Sequence, residues 1–272
     1  MFSDIFSIPK GIIVHQVNCK GVMGSGIALE IKKRYPCVYN SYKKFSVDLK
    51  PGMIQLVSVN NNIIVCNLAG QENFGTDKQY TDYKAVETGL LKLAKQAQKI
   101  SMDVYVPFGM GCGLGGGDWV KYRQIIKDIL PDAIICCPYF QGLQVWTTCF
   151  SNLKMVSGKD SEIIPLSIAR YMPKNLQGDI QSLPELFPSK SLLSSYKKGK
   201  VDYENYKKIY YNEVLKNLDV KNLIKKIKTF GNKVVLVCYE KPDDFCHRHI
   251  VSHWLKYLTG YKIQEFGVKK KS

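Results

Sequence analysis

Short β-branched or aromatic runs alternate along the chain with longer stretches of helical period. Gly11 to Val17 (GIIVHQV), Met53 to Val59, Asn62 to Leu68, Met102 to Pro107 and Ala133 to Phe140 are predicted strands. Thr81 to Ile100 places Tyr83, Val86, Leu90, Leu93 and Ala97 on one stripe at steps of 3, 4, 3 and 4, which predicts an amphipathic helix. Asp118 to Leu130 is a second helix, with Asp118 in the N-cap position and Pro131 just past the end. This alternation predicts an α/β sheet with helices on both faces and ligands at the carboxyl ends of the strands. Glycine loops fall at that edge: "KGVMGSG" follows the first strand and "FGMGCGLGGGDW" the fourth.

The pattern restarts after Phe140 with "QGLQVWTTCF", so the boundary is expected near Gln141 and Gly142. That gives one domain over residues 1–141 and a smaller α/β domain over 142–272. Strands are expected at Leu143 to Thr148, Ile163 to Ile168, Lys233 to Cys238 and Tyr261 to Glu265, with a helical, Lys- and Tyr-rich middle from Ser189 to Phe230. Val234 to Val237 is continuously apolar, as for a strand buried on both faces. The following helix is expected to begin near Phe245 and to bury Ile250, Trp254 and Leu258. Cys246, His247 and Arg248 then fall in its first turn. A thiol there beside a cation has a lowered pKa, and an arginine there could grip an anion with two donors. Cys238, Glu240, Cys246, His247 and Arg248 are therefore a candidate second site. Zinc on Cys238, Cys246 and a histidine competes with this reading, but Cys-x7-Cys-His is not a common structural zinc spacing and no second cysteine pair follows. No metal or cofactor is expected, and His249 and His253 read as a surface pair.

At 272 residues, 45% apolar and 23% charged, the chain has the composition of two folded domains. Nine scattered cysteines fit reduced thiols better than a disulfide framework. No long apolar run or leader-like N-terminus appears, so a cytoplasmic protein with no membrane partner is expected. The net charge of +16 is uneven. Residues 1–140 carry 16 Lys/Arg against 11 Asp/Glu, and residues 141–272 carry 23 against 12. The basic second half suits an anionic partner such as nucleic acid, or reflects a lysine-rich proteome.

Glycines let backbone N–H groups approach a phosphate, and a following helix start adds its partial positive charge. Two such loops at one edge could clasp a diphosphate. "VNCKGVMGSGIA", "NLAGQENFG", "YTDYKAVETGL" and "VPFGMGCGLGGGDW", in that order, resemble a macrodomain of the ADP-ribose-binding class over about residues 1–140. The resembled branch includes ADP-ribose 1″-phosphate phosphatases and terminal or DNA-linked ADP-ribosyl hydrolases. The resemblance implies a three-layer α/β/α sandwich. It puts Asp4 and Ile5 at the adenine end, Asn18 facing the distal ribose, Gly24, Ser25, Gly26 and Ile27 beside that ribose and the diphosphate, and Gly111, Cys112, Gly113, Leu114 and Gly115 over them from the other side.

One hydrolase branch uses a lysine and an aspartate where this chain has Gln71 and Gly115, so a lysyl covalent mechanism is not expected. Near the distal ribose remain Asn18, His15, and the acidic Asp77 and Asp82. Asn18, His15 and Asp82 are the candidate catalytic residues, a His–Asp pair being suited to phosphate chemistry near neutral pH. Against this, His15 lies in an apolar strand as a core histidine would, Asp82 and Asp118 stand where helix caps stand, and Cys19 and Cys112 suit small buried fillers. The second half, from "VWTTCFSNLK" to "VVLVCYEKPDDFCHRH", resembles an uncharacterised family of bacteria and phages whose signature is Cys-Tyr-Glu and Cys-His-Arg, with no activity to transfer. The expected function is binding of ADP-ribose or an ADP-ribosylated substrate, with hydrolysis of a terminal phosphate or ADP-ribosyl linkage, in a bacterial or phage-infected cell. The alternative is a non-catalytic reader of ADP-ribosylated nucleic acid or protein.

Overall fold

The computed structural model describes residues 4–266. The chain divides into two compact units, one running to Pro138 and including Leu258–Gly260, the other made of Tyr139–Tyr257 and the stretch from Tyr261.

The first unit contains β1 (Gly11–Val17), α1 (Gly26–Arg34), α2 (Pro36–Phe45), β2 (Ile54–Ser58), β3 (Ile63–Ala69), α3 (Tyr83–Ile100), β4 (Val104–Pro107), α4 (Trp119–Ile129) and β5 (Ile134–Cys136). Its sheet has the order β2-β3-β1-β4-β5, with only β2 antiparallel to its neighbour. The period-2 alternation of β1 builds the layers. Ile12 and Val14 point to one face and pack with Val86, Leu90 and Leu93 of α3 and Tyr122 and Ile126 of α4. Ile13 points to the other and packs with Ile31 of α1 and Val38 of α2. Each buried Leu or Ile in these layers contributes roughly 1.5–3 kcal/mol from burial before entropy is set against it. Because β1 is central, with β3 on one side and β4 on the other, the loops that follow these three strands share one edge.

The expected Ala133–Phe140 strand ends at Cys136, because Pro138–Phe140 winds into a 3-10 turn, and proline has no N–H to give a ladder. The helix expected from Thr81 starts at Tyr83 because Asp82 caps it, accepting from the Lys84 and Ala85 amides.

The second unit contains β6 (Gln144–Cys149), α5 (Leu153–Lys159), β7 (Ile164–Ser167), β8 (Gln181–Ser182), α6 (Lys190–Lys197), α7 (Tyr203–Glu213), α8 (Val220–Phe230), β9 (Lys233–Cys238), α9 (His247–Thr259) and β10 (Gln264–Glu265). Its sheet, β10-β6-β9-β7-β8, is parallel throughout, and Val234–Val237 in β9 are fully buried. The strand expected over Tyr261–Glu265 shortens to β10. The inward stripe of α9 is Arg248, Val251, Leu255 and Leu258 with Trp254, leaving the expected Ile250 half-buried. Among the described residues no helix is long and apolar enough to cross a membrane.

His15 lies inside the first sheet with no exposed surface. Its Nε2 stands 2.6 Å from Asn67 Oδ1, and Asn67 Nδ2 in turn donates to Gln55 Oε1 at 2.9 Å. With the Asn67 oxygen as acceptor, Nε2 carries the ring proton; Nδ1 is buried without a hydrogen-bond partner. Burial brings the His15 pKa down to about 4, the Asn67 bond opposing it only in part. An unfolded chain binds a proton at pH 5 that the folded chain refuses, so this histidine weakens the fold as pH falls. The penalty begins near pH 6.5 and is complete near pH 4, a loss of order 3 kcal/mol. Urea unfolding between pH 7.5 and 4.5 should show it. His15→Gln is expected to flatten the acid limb, and an unchanged limb would mean that other groups carry it.

Candidate functional site

At the carboxyl edge of the first sheet a buried polar network holds four segments together. Gln16 lies on the same face of β1 as Ile12 and Val14, beneath α3 and α4. Its Nε2 donates to Gln71 Oε1 at 2.7 Å and to Thr81 Oγ1 at 2.9 Å, while its Oε1 accepts from Tyr122 Oη at 3.1 Å. Thr81 Oγ1 passes its own proton to the Gly111 carbonyl at 2.7 Å, and Gln71 Nε2 donates to the Asn73 carbonyl at 2.7 Å. β1, the loop after β3, the residue before the α3 cap and the glycine loop after β4 are thereby fixed to one another. A buried amide left unpaired costs about 1–3 kcal/mol, so each link enforces the next. None of Gln16, Thr81 and Tyr122 was a candidate from sequence. The signal available was a glutamine on the apolar face of a strand that also carries Ile12 and Val14.

The network demands glycines. Gly111 has φ of +74°, and a Cβ there would stand 2.5 Å from Gln16 Oε1. A Cβ on Gly115 would stand 2.5 Å from the Gly111 carbonyl and 2.7 Å from Thr81 Oγ1. The Gly115 carbonyl accepts from the Tyr80 and Thr81 amides, both at 2.9 Å, so this loop is laced to the segment before α3. By contrast, no atom lies within 4 Å of a Cβ built on Gly26 or Gly113, and both loops border open space there.

The three helices that begin at this edge differ in their starts. Asp82 caps α3 and Asp118 caps α4, each side chain accepting from two backbone amides. Ser25 at the start of α1 makes no side-chain cap, leaving that helix start for an outside anion. Gly24 and Ser25 are exposed, and Ile27 is half-buried against the α1/α2 layer.

Several candidate residues have other work. Asn18 Oδ1 accepts from the Lys20 and Val22 amides and from Tyr42 Oη, and its Nδ2 donates to the Val22 carbonyl at 2.7 Å, so it shapes the first loop. His15 is sealed inside the sheet and Asp82 is spent as a cap, so neither forms the expected acid–base pair. Asp77 is exposed and accepts from Tyr80 Oη at 2.6 Å. Asp4 caps the turn Ile5–Ser7, accepting from the Phe6 amide, and Ile5 is buried beneath it. The Cys112 thiol is pushed up to about 12 by burial and by Asp118, and Cys19 is raised by burial and Glu72. Leu114 lies exposed beside Gly113.

In the second unit, Cys238 at the end of β9 meets Cys246 and His247 at the start of α9, with one donor atom from each within 4.8 Å of the others. Glu240 Oε2 lies 3.5 Å from Cys238 Sγ. Arg248 does not face an outside anion: its side chain has no exposed surface, and it donates to the Glu240 and Lys241 carbonyls at 2.7 and 2.9 Å and to Glu265 Oε1 at 3.0 Å. Its anion-gripping role is corrected accordingly, because α9 turns that side inward and the loop after β9 needs its carbonyls satisfied. His249 leans toward the same Glu265, at 3.6 Å, and its carbonyl accepts from His253 Nδ1 at 2.7 Å.

Zinc would need about 2.0–2.1 Å to an imidazole nitrogen and 2.3 Å to a thiolate. Cys238 Sγ is nearly equidistant from His247 Nδ1 and Nε2, at 3.6 and 3.8 Å, so it sits beside the ring and off both lone-pair lines. Nε2 also donates to the Ile168 carbonyl at 2.8 Å. A metal bonded in-plane to Nδ1 would remain roughly 4 Å from that sulfur at normal bond lengths. Cys238 and His247 therefore cannot share an ion as placed.

Residues 151–259 match the family model described as the active DUF488-N3 subclade. A DNA ADP-ribosyl glycohydrolase of Mycobacterium tuberculosis is 32% identical over 130 residues, covering 44% of this chain and 35% of that protein. One from Thermus aquaticus is 28% identical over 148 residues, covering 53% and 38%. The chain thus spans little more than a third of these curated relatives. Among solved structures, the macrodomain of Mycobacterium tuberculosis DarG is 26% identical, with a TM-score of 0.42, covering 49% of this chain and 91% of that one.

The crowding at Gly115 yields a test. Introducing lysine and aspartate as Gln71→Lys with Gly115→Asp should destabilise the first unit by about 2–5 kcal/mol, since it breaks the network and overfills the loop. Thermal unfolding should fall accordingly. A pair of substitutions tolerated without loss would show that the loop has room that the geometry denies.

Proposed function

We propose that the first unit is a macrodomain that binds ADP-ribosyl groups between the loops after β1 and β4. The observation that carries this is the pair of glycine loops held on one edge by Gln16 and Thr81, bordering open space at Gly26 and Gly113 beside an uncapped helix start. The diphosphate sits at the α1 start, where backbone amides and the helix dipole favour negative charge. The distal ribose lies under the loop Gly111–Gly115, and the adenine lies toward Asp4 and Ile5.

The geometry favours holding over cleaving. Gln71 is turned inward with both ends of its amide bonded, and Gly115 has no space for a carboxylate. The reader reading gains from this, with the basic second half adding attraction to nucleic acid. Hydrolysis of a DNA-linked ADP-ribosyl group, or of a terminal phosphate, is the second reading. It is favoured by the 32% identity to a protein named DNA ADP-ribosyl glycohydrolase.

Calorimetry with ADP-ribose, beside turnover assays on an ADP-ribosylated DNA oligonucleotide and on ADP-ribose 1″-phosphate, separates the two. Micromolar binding without turnover is expected. Gly111→Ala, which drives a methyl into Gln16, should weaken binding at least tenfold. Turnover of either substrate would establish the hydrolase reading, and no binding of ADP-ribose would end both.

A further inference from the structure

The second unit holds a cavity of about 470 Å³ at the carboxyl edge of its sheet, within the size range of small-molecule sites. Its base is Cys238, Cys246 and His247. One wall is aromatic: Tyr196, Tyr206 and Phe245 meet one another edge-on with ring centroids 5.0–5.1 Å apart. Arg170 and Lys197 also line it, Arg170 anchored through Nε to the Pro188 carbonyl. Tyr171 and Tyr239, 54% and 47% exposed, stand among its lining. Aromatic faces beside cations suit a nucleobase joined to a phosphate.

Five groups at and around the base decide where negative charge resides. Burial opposes ionisation of Cys246, but the Cys238 thiol, His247 and the fully buried guanidinium of Arg248 outweigh it and hold Cys246 well below an ordinary thiol. Cys238 is pushed up as the hydrogen-bond donor of the pair. Glu240 is raised by burial and by the neighbouring Cys246 charge. The lowered thiol, the raised thiol and the raised carboxyl thus line one pocket.

We propose that Cys246 is the nucleophile of a second active site, in a pocket that takes a nucleotide with its base against Tyr196, Tyr206 and Phe245 and its phosphate toward Arg170 and Lys197. The thiolate attacks an electrophilic carbon of the nucleotide. A sulfur–carbon bond forms, the bond to the leaving group breaks with its electron pair going to that group, and the Glu240 carboxyl gives that group its proton. Water then attacks the same carbon, Glu240 takes the proton of the water back, and the thiolate departs. The net change is hydrolysis, with Cys246 and Glu240 restored. This site stands apart from the reading of the first unit.

The test is iodoacetamide labelling of the full chain, read by peptide mass spectrometry. The exposed Cys37 serves as the internal reference and AMP as the competitor. Cys246 is expected to label at least tenfold faster than Cys37, with millimolar AMP slowing it several-fold. Lys197→Glu should abolish that protection. Cys246 unlabelled when Cys37 is complete would overturn the nucleophile. Fast labelling that AMP never slows would overturn the nucleotide pocket. Stoichiometric zinc whose chelation unmasks both Cys238 and Cys246 would replace the proposal with a metal site.

Discussion

The first unit depends on one buried amide. Gln16 sits where an apolar side chain would fill the α3/α4 face, and every polar atom it brings there must be paired. The partners it finds lie on two loops far apart in sequence: Gln71 and Thr81 on the β3–α3 loop and, through Thr81, the Gly111 carbonyl after β4. A central strand thus dictates the course of the glycine loop after β4. The glycines follow from that course, since Gly111 and Gly115 have no space for a Cβ. A helix start without a side-chain cap completes the edge on the other side.

The second unit uses its charges differently. Arg248 is buried with its donors given to two backbone carbonyls and Glu265, so it acts as a fixed internal cation. Its field reaches Cys246 without offering a solvent-facing grip. Thr147 Oγ1 donates to the second oxygen of Glu265 at 2.5 Å, which keeps that carboxylate in place as counter-ion. The polar groups that make Cys246 distinctive are thereby held by β6, β9, α9 and β10 together. Removing any one strand end would disturb the thiol.

Much of the fold was legible because it rests on periodicity. The stripe Val86, Leu90, Leu93 lies on the sheet as expected, the glycine loops fall at the carboxyl edge, and β9 is buried along Val234–Val237. The errors came where tertiary demand outweighs local pattern. His15 and Asp82 are chemically capable, yet one is sealed under β2 and β3 through Asn67 and the other is consumed by α3. Arg248 looked like an anion grip, but the buried face of α9 is wider than the expected stripe: it keeps Trp254 and Leu258 and adds Arg248, Val251 and Leu255. Gln16 was missed because its one signal was a polar residue on an apolar strand face; its role comes from residues 55, 65 and 106 positions away.

The proposed site requires two glycine loops, locked to one sheet edge, to close on the same ADP-ribose. Amide hydrogen exchange of the full chain with and without saturating ADP-ribose measures this directly. Protection is predicted in both 18–27 and 109–117. Protection confined to one loop, or absent from both, would contradict joint closure.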